Sequence, residues 1–247
     1  MKKALFLLFT FNVQLSTFNL LLAQRSITSE RIEVTSRLDK HPNAEALSFV
    51  GRYKSSVDSV MAPVLGESLV GMSAARPESL LSNWAADVLV EFSDYKGEGR
   101  ADLGLVNVGG LRNNMPQGVV RRGDVILISP FDNRLAIVHL TGNNLMELFR
   151  NIAAVHGEGV SHEVQLVITS DGQLVDAKVG GQPVDSDRVY RIATLDYLAE
   201  GNDKMFALKK AQRLDVSDLF TRDCMMQSIQ RHKKITSQLE GRITIKD

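Results

Sequence analysis

Asn107, Gly109, Gly110 and Arg112 close an apolar run, Leu103-Gly104-Leu105-Val106, and are the residues of this chain best placed to meet a ligand. An amide and a guanidinium fork at the carboxyl end of a strand offer directed hydrogen bonds, and two glycines let a bound group come close to the backbone, with positive φ as one way to do so. Gly-Gly pairs also make ordinary turns, so the residues alone leave a binding loop and a structural turn both open. Other chemistry is easier to set aside. The histidines His41, His139, His156, His162 and His232 form no His-x-His or Asn-His pair, and the single Asp-x-His, Asp39-Lys40-His41, stands alone rather than in a cluster of the kind that holds two catalytic metal ions. His139 reads as structural, and His156 and His162 flank a Gly-rich loop that is either solvated or shares a ligand. Cys224 is the one cysteine and lies in a helix-like stretch, which predicts a buried, inert thiol. Gly-x-Ser-x-Gly, a phosphate-binding Gly-Lys-Ser/Thr loop and a dinucleotide fingerprint are all absent.

The elements that must carry this loop follow from periodicity. Residues Leu80, Leu81, Trp84, Ala85, Val88, Leu89 and Phe92 line one helical face after a start at Ser73 or Pro77, with Trp84 in the core. Stretches Asp124 to Ile128, Arg134 to Leu140, Glu163 to Thr169, Leu174 to Val179 and Val189 to Thr194 read as strands, and Gly142 to Ala153 as a helix. Asp171-Gly172 signals a hairpin and Gly180-Gly181 a further turn. A helix is expected over Val216 to Gln230 and a closing strand over Arg242 to Ile245. Strands mixed with segregated helices predict an α+β fold. Ahead of all this, Ala46, Leu47, Val50, Tyr53, Val57, Val60 and Met61 predict an amphipathic helix ending before Pro63.

Met1 to Ala23 carries Lys2 and Lys3, then an uncharged apolar run broken by Asn12, Gln14 and Asn19, and ends on a small residue before Gln24. That is the pattern of a cleaved signal peptide rather than a retained membrane anchor, and no cysteine follows it to take a lipid. The chain has 247 residues with 29 basic and 29 acidic side chains, and loss of Lys2 and Lys3 leaves 27 against 29. A near-neutral chain has no electrostatic draw on nucleic acid polymers. The expected organisation is a signal at 1–23, an N-terminal extension at 24–61 and one domain over 62–247, exported to the periplasm or the cell exterior.

Four segments taken together resemble the C-terminal, substrate-recognition domain of the 5'-nucleotidase family. They are the loop Asn107 to Arg112, Pro130-Phe131-Asp132-Asn133, Tyr197 through Asp203, and Gly241-Arg242-Ile243. The resemblance implies layered mixed sheets with helices outside. It also implies that Phe131 and Tyr197 sandwich a nucleobase while Asn107, Arg112, Asn133 and Asp203 take its edge, the ribose and the phosphate side. Stacking suits this task because every base has two π-faces. The ligand-bearing loops are therefore expected at a common edge. Arg76, near Glu78, lies one residue out of register with a family arginine ahead of the first core helix and is a further candidate ligand. One departure is Glu200-Gly201-Asn202-Asp203-Lys204-Met205, which has one glycine fewer than the family loop and a lysine after the acid. Asn202 can supply positive φ, and Lys204 can draw Asp203 away from a ribose.

In the family, hydrolysis belongs to a separate N-terminal domain that holds two metal ions, and no such ligand set is found here. The resemblance thus implies no cofactor in this chain, with divalent metals confined to a metallophosphatase partner, and inactivity without it. Three readings follow: the recognition half of a split 5'-nucleotidase, a stand-alone nucleoside- or nucleotide-binding module, and a relic whose site no longer binds. Both aromatics and four polar positions are present, which argues against the relic.

Overall fold

A computed structural model describes residues 28–247, so the expected signal peptide lies outside the described residues. The chain divides after Arg52 into two compact units. In the first, a 3₁₀ turn spans Ser36–Lys40 and helix α1 (Ala44–Met61) begins. The second runs from Tyr53 to Asp247 and carries the remaining elements. Helix α1 ends before Pro63 as its periodicity predicts.

In chain order the second unit holds β1 (Val64–Ser68), α2 (Leu80–Glu91), β2 (Leu103–Val106), β3 (Gly118–Arg121), α3 (Arg122–Ile128), β4 (Arg134–Thr141) and α4 (Gly142–Ala154). Then follow β5 (Gly159–Val160), β6 (Val164–Ile168), β7 (Leu174–Val179), β8 (Gln182–Pro183), β9 (Val189–Leu195) and α5 (Asp196–Ala199). The chain closes with β10 (Arg213–Phe220), α6 (Thr221–His232), β11 (Lys234–Ile235) and β12 (Ile243–Ile245). The strands form three mixed sheets in the orders β11-β1-β3, β10-β4-β9-β2-β5 and β12-β6-β7-β8. The class is α+β, as expected, with helices packed on the sheets. Leu81, Trp84, Ala85 and Leu89 of α2 are buried, with α2 packed on β2, β5 and α6, and Leu145, Leu148, Phe149 and Ile152 of α4 are buried, with α4 packed on β4, β7 and β9.

Several sequence expectations need correction. Residues 124–128 are not a strand but most of α3, because the Asp124 side chain accepts the Arg121 N–H at 2.7 Å and so satisfies a backbone donor at the start of a helical turn. A short apolar run such as Val125 to Ile128 fits either state until its flanks decide. The helix expected from Val216 starts only at Thr221; residues Arg213–Phe220 instead pair antiparallel with β4, from Arg213 opposite His139 to Phe220 opposite Arg134. Helix α2 starts at neither Ser73 nor Pro77: Ser79 caps it, its side chain accepting from Ser82 N. The short strands β1 and β3 carry too little alternation to be read in advance. Both turns were legible, with Gly172 at φ 86°, Gly180 at 59° and Gly181 at 75°.

One topological fact positions the site. β9 lies between β2, to which it is parallel, and β4, to which it is antiparallel. The carboxyl ends of β2 and β9 and the amino end of β4 therefore meet at one edge of the five-stranded sheet.

Candidate functional site

At that edge Asn107, Gly109, Gly110, Arg112, Phe131, Asn133, Tyr197 and Asp203 line one cavity of about 350 Å³. Its wall comes from the loop after β2, the loop before β4 and the segment that begins with α5. Six of the seven residues singled out from the sequence are brought together in this way. Phe131 is 44% exposed and Tyr197 39%, so neither ring is a core residue at a strand end. Both are available to a ligand.

The loop after β2 is a 3₁₀ turn over Val108–Gly110, and neither Gly109 nor Gly110 takes positive φ. Gly110 is required for a different reason: a Cβ there would stand 2.7 Å from Asn107 Oδ1, so the glycine keeps room for the amide. Asn107 is buried, its Nδ2 donates to Asp203 Oδ2 at 2.6 Å, and its Oδ1 accepts no hydrogen bond among the described residues. Arg112 is anchored through its backbone N–H to Ile128 O (2.8 Å), while its Nη1 donates to Gly109 O at 3.0 Å. Among the described residues its guanidinium is the only cation lining the cavity, and Asp203 the only anion.

The second wall is tied down by α6. Asn133 O accepts the N–H of Thr221 at 2.9 Å, and Arg222 pairs with Asp132 at 2.6 Å, so the two residues that follow Phe131 are both held to α6. On the third wall Asp196 Oδ1 accepts from Arg134 N (3.1 Å) and Tyr197 N (2.8 Å), pinning the start of α5 to the start of β4. Tyr197 OH donates to Asp203 Oδ1 at 3.0 Å, and this bond to a carboxylate raises the phenol pKa above its ordinary value.

The departing loop keeps its turn by an unexpected route. Gly201 has φ 81°, but the further positive values fall on Asp203 (50°) and Lys204 (67°), not on Asn202. Asn202 instead donates from Nδ2 to Tyr197 O at 2.8 Å. Asp203 faces Asn107 and Tyr197 rather than Lys204, so the lysine does not withdraw it from the cavity.

Arg76 is the residue the structure does not bring to the cavity. Its Nε donates to Gly157 O at 2.7 Å and its Nη2 pairs with Glu158. Glu158 was not singled out from the sequence; an acid set between two glycines directly before a strand is the signal that marks it. It is 2% exposed, and burial pushes its carboxyl pKa up against the opposing pull of Val108 N–H and Arg76.

Elsewhere, Glu98, His139 and Asp215 bring potential metal-ligating atoms within 4.8 Å of one another. Arg213 lies 2.8 Å from each carboxylate and Lys96 2.6 Å from Asp215, so the two negative charges are already compensated. Lys96 holds Asp215, and Arg213 holds Glu98, below the ordinary carboxylate range. His139, 3.4 Å from Asp215, belongs to this structural cluster, and His162 pairs with Asp87 (3.5 Å) and Glu163 (3.3 Å). Cys224 is buried with its thiol pKa pushed up to about 12, an inert group.

The fold agrees with what the chain resembles among known proteins. The sequence profile described as 5'-nucleotidase, C-terminal domain, matches residues 61–210, well over half of the chain and the whole of the cavity lining. Protein UshA of Escherichia coli strain K12 is 25% identical over 181 residues, covering 71% of this chain and 32% of that protein. An apyrase of Tabanus yao is 28% identical over 166 residues, 58% of this chain and 29% of that one. The chain thus spans about a third of the length of these relatives. Among solved structures, the 5'-nucleotidase precursor of Thermus thermophilus superposes with a TM-score of 0.73 at 24% identity, over 81% of this chain and 43% of that one, which shows a shared fold. With the profile, the fold and the ordered motifs in agreement, the chain belongs to the 5'-nucleotidase family by its C-terminal domain.

Proposed function

We propose that the cavity binds a nucleotide or nucleoside, with the base between Phe131 and Tyr197. Asn107 and Asp203 take the ribose hydroxyls, Asn133 the base edge, and Arg112 the phosphate side. The observation that carries this reading is the convergence of two half-exposed rings, one cation and one anion on a single cavity from segments spread between residues 107 and 203. The unpartnered Asn107 Oδ1 supports it, since a buried acceptor calls for a donor and a sugar hydroxyl supplies one. In this reading the domain is the recognition half of a split 5'-nucleotidase. It presents the phosphate to a metallophosphatase chain that holds the divalent metal ions and performs the hydrolysis. Export to the periplasm or cell exterior goes with it, on the strength of the Lys2-Lys3 start and the apolar run before Gln24.

Calorimetric titration with adenosine, AMP and a UDP-sugar, with and without a lone metallophosphatase, tests this directly. Wild type should bind at least one of the three, and phosphate release from AMP should require the added enzyme. Stacking contributes about 1–3 kcal/mol per base, so Phe131→Ala or Tyr197→Ala should weaken binding roughly five- to 150-fold, while Phe131→Tyr should change little. Binding unaffected by removal of either ring rejects the proposed pose. Tight nucleoside binding with no stimulation of any phosphatase would favour a stand-alone capture module instead.

A further inference from the structure

Glu158 is a buried acid that touches the binding loop without lining the cavity. Its placement follows from strand register. β5 pairs antiparallel with β2, Val106 opposite Gly159, so the residue before β5 stands level with the residues after β2. Glu158 Oε2 accepts the N–H of Val108 at 2.5 Å, and Oε1 accepts from Arg76 Nη2. Arg76 is fixed in turn by its Nε bond to Gly157 O at 2.7 Å.

Val108 sits between Asn107 and Gly109, both of which line the cavity. Inside the turn, Gly110 N bonds Asn107 O and Leu111 N bonds Val108 O, but the Val108 N–H has no acceptor there. Like the first donors of any helical turn, it needs a partner from outside. Glu158 is that partner, and a charge-assisted bond is about twice as strong as a neutral one. Loss of the carboxylate leaves a buried donor unsatisfied directly beside the Asn107 amide, whose orientation toward Asp203 depends on the same peptide.

We propose that Glu158 is the positioning residue of the nucleotide-binding loop, and that Arg76 acts on ligand binding only through Glu158 and not by touching the ligand. This rests on the reading of the cavity as a nucleotide site, but the geometry of the free protein tests it independently. An Arg76 that contacts phosphate is the competing outcome.

The experiment pairs a double-mutant cycle with an amide spectrum of the unliganded chain. Arg76→Ala, Glu158→Gln and the double variant are titrated with adenosine and AMP. Each single variant should weaken both ligands by the same factor, about tenfold, and the double variant should be no worse than either single one. Arg76→Ala weakening AMP while sparing adenosine, or factors that multiply in the double variant, would overturn the proposal. In the free protein, the Val108 amide proton should move upfield and exchange at least about tenfold faster in Glu158→Gln, with other core amides unmoved because Gln is nearly isosteric. A Val108 amide unchanged by Glu158→Gln and by Arg76→Ala overturns it whether or not nucleotides bind. Failure of wild type to bind any nucleotide would sink the cavity assignment alone.

Discussion

Arg112 and Arg242 belong to two of the sequence motifs that mark the family, yet the fold treats them in opposite ways. Arg242 is 4% exposed and its donors are saturated: Asp87 accepts from both Nη atoms at 2.8 Å, Glu240 from Nε at 2.9 Å, and Val160 O from Nη1 at 2.8 Å. It ties α2, β5 and the start of β12 together. Arg112 is exposed beside the cavity and its side chain meets one carbonyl, that of Gly109. A saturated guanidinium serves the fold, and one left open beside a cavity has donors to spend on a ligand. The Glu98, His139 and Asp215 cluster follows the first pattern, its charges met by Lys96 and Arg213. Asp203 follows the second, held by neutral donors from Asn107 and Tyr197 with its negative charge uncancelled.

The comparison breaks most visibly at Arg242. Arg242→Ala strands the carboxylates of Asp87 and Glu240 and leaves the Val160 carbonyl without this donor. Removing one partner of a buried pair costs about 3–5 kcal/mol, and because Asp87 and Glu240 keep access to water the lower end applies. Urea unfolding should record a loss of about 3 kcal/mol. A stability change below about 1 kcal/mol would mean that this network is no more structural than the cavity.

Arg112→Ala is the converse case. Stability should move by no more than about 0.5 kcal/mol, as expected of an exposed side chain. AMP binding should weaken by about tenfold or more while adenosine is nearly unaffected, because only the nucleotide carries an anion for the guanidinium. Equal loss for both ligands would place Arg112 on the base or ribose and collapse the distinction drawn between the two arginines' surroundings.

How far the sequence foretold this site depends on range. Asn107 and Arg112 stood out from the residues themselves, beside a glycine pair at the end of an apolar run, whereas Phe131, Asn133, Tyr197 and Asp203 were picked out only by the resemblance to the family. Their convergence needed the order β4-β9-β2, which no local signal contains. The state of residues 216–220 was misread for the same reason, since pairing with β4 decided it, whereas residues 124–128 were misread although the deciding signal, the Asp124 side chain on Arg121 N–H, lies only three residues away. Gly110 was marked correctly but for φ freedom, whereas its need is the space taken by the Asn107 amide. Arg76 lay one residue from a family position, yet only the structure reveals that a buried Glu158 intercepts it.

Glu158 gives the smallest effect and sharpens the comparison, because it is saturated like Arg242 but attached to the binding loop. Burial raises its carboxyl pKa, with Val108 N–H and Arg76 offsetting only part of that cost. The sign follows from the raised value: the folded state holds the proton more tightly than the unfolded chain, whose glutamate titrates near about 4.3. Wild-type stability relative to Glu158→Gln should therefore be greatest below that pH, fall as pH rises through the folded pKa, and level off above it. Urea unfolding of both proteins from acid to neutral pH measures the difference. Parallel curves would show that Arg76 and the amide balance burial, and a wild type that gains on the variant with rising pH that they outweigh it. In the expected case the ionised carboxylate is a net cost to the fold, kept where it holds Val108 beside the ligand, as strained or destabilising groups are kept at sites that need them.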